Sequence, residues 1–149
     1  MKQGFTLIEL LLVIAILGII AYFAVGYLGS YETKTSLDSS AEEISAYLQK
    51  ARSKSIAQEK NESWGVKFDR DAKGDFYQIY SSGGDSEAKV YLPSGITFKD
   101  FVPPQKIQFT KLYGARSDAS TINTIEIISL KTGIFNIINV NEEGRIYID

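Results

Sequence analysis

Glu9 is the only charged residue between Lys2 and Glu32, and it stands at the mouth of an uncharged run, Leu10–Leu28. A carboxylate in that position calls for ion-pair chemistry. An ionised Asp, Lys or Arg at mid-bilayer costs about 2.5–3.5 kcal/mol on insertion scales. Glu9 lies four residues past Phe5, about 6 Å along a helix, so its own cost is smaller. It still wants a cation, and Lys2 is the one basic side chain in the first 33 residues. A cut after Gly4 would supply another cation, the α-amine of Phe5, which is protonated near neutral pH. In one straight helix that amine is a turn away from Glu9. In a bundle of such helices, the amine of one subunit could meet the carboxylate of the next.

Other candidates for chemistry are weaker. The chain has neither cysteine nor histidine. Disulfides, thiol nucleophiles and thiolate metal sites are excluded, and so are the commonest general base and transition-metal ligand. Asp69-x-Asp71-x-x-Gly74 imitates the start of a calcium loop, but Lys73 fills a ligand position and Tyr80 stands where the final Glu belongs. That stretch reads as a hairpin turn. Lys50 and Lys54 share a helix face from which Arg52 points away; the cluster reads as solvated. The net charge of −2 also disfavours nucleic acid as a partner. Gly83-Gly84 lacks the strand–helix context of a phosphate loop. We expect no catalytic constellation, metal, cofactor or small-molecule substrate.

The elements that position Glu9 begin with the apolar run. Its 19 residues span about 28 Å as a helix, close to a hydrocarbon core of about 30 Å. Lys2 on one side and Glu32 on the other put the N-terminus in the cytoplasm. A secretory signal peptide would have a shorter apolar region and a small-x-small cleavage site, which Tyr27–Tyr31 does not offer. Helical periodicity continues beyond the run: Leu37, Ala41, Ile44, Leu48, Ala51 and Ser55 form one stripe, with Tyr47 and Ile56 beside it. Ser39–Glu43 resembles a capping box that would restart the helix. The expectation is a continuous or slightly broken helix from about Phe5 to about Gln58.

From Ser63 the period changes to two. Trp64–Phe68 and Phe76–Tyr80 read as a hairpin around a polar turn. Lys89–Leu92, Ile96–Phe98, Lys106–Phe109, Thr124–Leu130, Ile134–Val140 and Arg145–Ile148 read as further strands, with Ala115–Thr121 as a loop. The expected class is α+β: one long N-terminal helix whose outer half packs on an antiparallel β-domain.

The segment Gly4-Phe5-Thr6-Leu7-Ile8-Glu9, followed by the apolar stretch, closely resembles the processing site of type IV pilins and type II secretion pseudopilins. The resemblance implies cleavage after Gly4 by prepilin peptidase, N-methylation of Phe5, and a role for Phe5 and Glu9 in filament assembly. Many relatives carry a proline about twenty residues past the cut; this chain has Gly26 near there, with Gly18 and Gly29 around it. Ala51-Arg52-Ser53-Lys54-Ser55-Ile56 followed by Trp64-Gly65-Val66 also looks like the minor pseudopilin group called GspH/FimT. The lack of a C-terminal disulfide leans to the pseudopilin side.

Three segments follow: a cleaved leader, 1–4; a transmembrane and filament-core helix, 5–30; and an extracytoplasmic pilin-like domain, 31–149. The expected protein is a structural, minor subunit of a type IV pilus or type II secretion pseudopilus. It starts as a single-pass inner-membrane protein and is then extracted into the filament. Its partners would be prepilin peptidase, other pilin or pseudopilin subunits and inner-membrane assembly machinery. The alternatives are a minor pilin of a DNA-uptake or adhesive pilus and, from another class, a membrane-anchored ligand-binding domain or enzyme.

Overall fold

The computed structural model describes residues 6–149, leaving aside the side chains of 24–31. One helix, α1 (Leu7–Ile56), dominates: 50 residues, or about 75 Å of rod. It is unbroken where the Ser39–Glu43 pattern suggested a restart. Ser40 does not cap there; its hydroxyl donates to the Ser36 carbonyl at 2.8 Å, one turn back, and the helix runs through. Helical geometry ends at Ala57, and Gln58 turns left-handed with φ 54°.

Eight strands follow, in two antiparallel sheets. β1 (Trp64–Asp71), β2 (Gly74–Ser81), β3 (Val90–Tyr91) and β5 (Gln105–Gln108) form the first, in the order β3-β2-β1-β5. β4 (Ile96–Phe98), β6 (Thr124–Ser129), β7 (Phe135–Val140) and β8 (Ile146–Ile148) form the second, in the order β4-β6-β7-β8. The fold is α+β, as the periodicities predict. One expected turn is shorter than read: β1 and β2 pair as far as Asp71↔Gly74, so only Ala72 and Lys73 form the loop. An ion pair between the facing residues Arg70 and Asp75 carries the ladder through that polar stretch.

Alternation on β1 sends Trp64, Val66 and Phe68 inward. They meet Tyr77, Ile79 and Ile107 of the same sheet and Ile125, Ile127, Ile138 and Val140 of the other. The helix closes this core with Leu37, Ala41, Ile44, Leu48 and Ala51, each at most 1% exposed. The predicted stripe is therefore the buried one; Ile56, at its end, turns outward. Buried Asp75 joins the two sheets. Its carboxylate accepts from Arg70 of β1 and, at 2.6 and 2.8 Å, from the Thr97 hydroxyl and Phe98 N–H of β4. Burial works to raise its pKa, but these donors outweigh burial and hold it below the usual carboxylate value. The 115–121 loop lies along the outer edge of β5, where Ser117 N–H donates to Gln108 and Thr121 N–H to Lys106. The sheet edge is thereby satisfied.

Candidate assembly site at the helix start

Thr6 precedes the helix in an extended conformation (φ −80°, ψ 150°) and is its N-cap. Its N–H donates to Glu9 Oε2 at 3.0 Å, its hydroxyl donates to the same oxygen at 2.8 Å, and its Oγ1 accepts from Glu9 N–H at 3.4 Å. This is a reciprocal capping box, with the carboxylate at the positive end of the helix dipole. From sequence Glu9 is expected to need a cation; the capping box is a second role beside that one. The carboxylate already satisfies donors in its own first turn. The signal was present as Thr6-Leu-Ile-Glu9, a Thr-x-x-Glu ahead of an apolar run. Both Thr6 donors are neutral, so the charge of Glu9 is not cancelled, and it remains exposed to a cation. Gly4 and Phe5, the expected cleavage and methylation residues, lie outside the described residues.

Beyond the cap the helix is bare. The large apolar side chains from Leu7 to Phe23 are 45–80% exposed and point in all directions around the rod. A helix apolar on every side belongs in a membrane or in the centre of an assembly. Among the described residues, no helix is long and apolar enough to cross a membrane. The described apolar stretch covers about 25 Å. Residues 24–30 of the expected span have side chains outside the described set.

The other end of α1 is built for contact. Ser55 Oγ accepts from Trp64 N–H at 2.7 Å and donates to Trp64 C=O at 3.1 Å, which ties the last helical turn to β1. The Trp64 indole donates to Glu59 C=O. Gly65 is required there, because a Cβ would lie 2.8 Å from Gln108 Cα on the neighbouring strand. Arg52 donates to the carbonyls of Gly114 and Glu143, so it clamps two loops. Lys50 and Lys54 both reach Glu87, and Lys54 lies 4.2 Å over the Trp64 ring. Burial would lower the Lys54 pKa, but Glu87 and Glu59 raise it above the ordinary lysine value. The basic cluster is therefore not the solvated face expected from sequence. It is a set of ties between helix and sheets, and only tertiary structure places their acceptors.

The calcium-like acids are also engaged. Asp71 accepts from Lys89 at 2.8 Å, from Lys73 N–H at 2.9 Å and from the Tyr91 hydroxyl at 3.0 Å. These bonds, with Lys89 the strongest, pull its pKa from 3.8 to about 2. Asp69 pairs with Lys67. Among the described residues, no group of three or more acidic side chains is arranged to hold a metal ion.

Residues 1–24 match the family model of the prokaryotic N-terminal methylation motif. This is the prepilin-peptidase motif of type IV pilins and pseudopilins, and in this chain it leads into a long helix packed on antiparallel sheets. Motif and architecture together support a type IV pilin-like or pseudopilin subunit; proteins with this motif are in general structural. No curated protein and no solved structure matches the chain.

Proposed function

We propose that the chain is a minor subunit of a type II secretion pseudopilus or a type IV pilus. Prepilin peptidase cuts the inner-membrane precursor after Gly4 and methylates the amine of Phe5. Segment 5–30 holds the subunit in the membrane, N-terminus in the cytoplasm, until assembly machinery moves it into the filament. There the helices bundle, and the amine of Phe5 on one subunit meets Glu9 on a neighbour, either a second copy or a sister pilin. Such a pair specifies axial register more than it adds net stability. The β-domain faces outward and sets subunit identity.

The observation that carries this reading is the exposed apolar rod from Leu7 to Phe23, lying directly behind the methylation motif. The Ala51-Arg52-Ser53-Lys54-Ser55-Ile56 and Trp64-Gly65-Val66 pattern supports the minor-pseudopilin assignment, and within it Ser55 bonds the backbone of Trp64. The test is an intact mass of the native protein isolated from cells. It should lack residues 1–4 and carry one added methyl group. A chain that still begins at Met1 would leave Glu9 without its cation and reduce the protein to an anchored domain. Glu9→Leu should be processed normally yet fail to enter filaments, and normal entry would end the register role.

A further inference from the structure

The turn between β6 and β7 exposes an apolar tip: Leu130 is 72% exposed, and Ile134 and Phe135 are each 45% exposed. Leu130 N–H donates to Gly95 C=O at 2.9 Å, which braces the tip against the preceding turn. Asn136 donates to Asp38 at 2.9 Å, which pins the start of β7 to the helix. A cleft of about 270 Å³ between Ser36, Ser94 and Lys131 sets the tip beside helix positions 32–36, on the side of Asp38 nearer the helix start. Leu28, the last large aliphatic residue before Glu32, is four to eight positions earlier, about 6–12 Å along the axis. The polar layer on each side of a bilayer is roughly 5–8 Å thick.

Among the described residues, neither Lys34 nor Lys131 joins an ion pair. Glu32 is the one acid that lines the cleft with Lys131. An apolar tip that carries an unpaired lysine, Lys131, is the composition of an interfacial anchor. Resting on the reading of a membrane-held subunit, we infer that the β6–β7 turn docks on an anionic bilayer surface before extraction. Leu130 enters the boundary between headgroups and acyl chains, and Lys131 meets lipid phosphate. The β-domain is then held in one orientation over the membrane, with two contacts instead of one.

The chain has no cysteine, so single labels are unambiguous. Full-length Leu130→Cys, Leu17→Cys and Tyr113→Cys, each carrying an environment-sensitive fluorophore, are placed in phosphatidylcholine–phosphatidylglycerol vesicles that contain nitroxide lipids. All three positions are exposed. Deep nitroxides should quench the label at 17, shallow nitroxides the label at 130, and neither the label at 113. Replacing phosphatidylglycerol with phosphatidylcholine should weaken quenching at 130 alone. If 17 is quenched and 130 behaves like 113, the docking inference fails while the membrane span stands. If 17 is not quenched, the span falls and the docking falls with it. A label at 130 that is shielded from aqueous iodide but not quenched by lipid would put a second protein copy on the tip and overturn the inference.

Discussion

The two halves of α1 obey the same helix geometry and have opposite surroundings. From Leu37 to Ser55 the apolar residues form one stripe, and the sheets cover it completely. From Leu7 to Phe23 they cover the whole circumference, and nothing in the domain touches them. The first half is stabilised by its own chain. The second can be stabilised only by something outside it. Isolated helices gain little from propensity alone, so the bare half depends on its cap and on its eventual neighbours.

The strongest way to break this comparison is to truncate one side chain in each half. Leu48→Ala removes a fully buried side chain and should cost about 2–5 kcal/mol in urea unfolding of the β-domain. Leu12→Ala, at a position 58% exposed, should leave that midpoint unchanged and lower filament yield instead. Equal effects on unfolding would show that the halves do not differ as described. Next in size is Ser55→Ala, which strands the N–H of Trp64 at a buried site, while the Trp64 C=O keeps the N–H of Phe109. It should cost about 1–3 kcal/mol, read in the same unfolding experiment.

The cap offers a smaller effect that is confined to the bare half. Thr6→Ala should weaken the helix start by about 1 kcal/mol, whereas Thr6→Ser should preserve it. Amide hydrogen exchange should quicken in the first turns and stay unchanged from Leu37 onward. The smallest effect concerns the β-domain alone. The folded-state pKa of Asp71 is depressed to about 2 from 3.8, so its stabilising contribution is present above pH 3.8. It is lost as pH falls through 2. Asp71→Asn should flatten the acid limb of a stability–pH profile within that window, and leave the profile's shape above pH 5 unaltered.

Much of this was legible from residue order. The stripe from Leu37 to Ser55 and most strands were readable because burial imposes periods of 3.6 and 2 on the sequence. The methylation motif was readable because it is local and contiguous. Other features were not. Ser39–Glu43 has the composition of a helix start, yet packing of Leu37 and Ala41 on the same face carries the helix past it. Arg52 and Lys54 look like surface charge, because their acceptors at Gly114, Glu143 and Glu87 are 33 or more residues away. Asp75 reads as a turn residue until β4 delivers Phe98 N–H to it.

By itself, the order of residues determined the long helix, the alternating strands, the exposed apolar rod and the place of Glu9 in front of it. These follow from interactions among near neighbours in the chain. Tertiary structure alone decided that the strands split into two sheets, that the basic cluster clamps loops, and that an exposed apolar turn sits beside the helix at positions 32–36. Those depend on which distant segments meet, and hydrogen-bonding groups carry no label for a partner far along the chain.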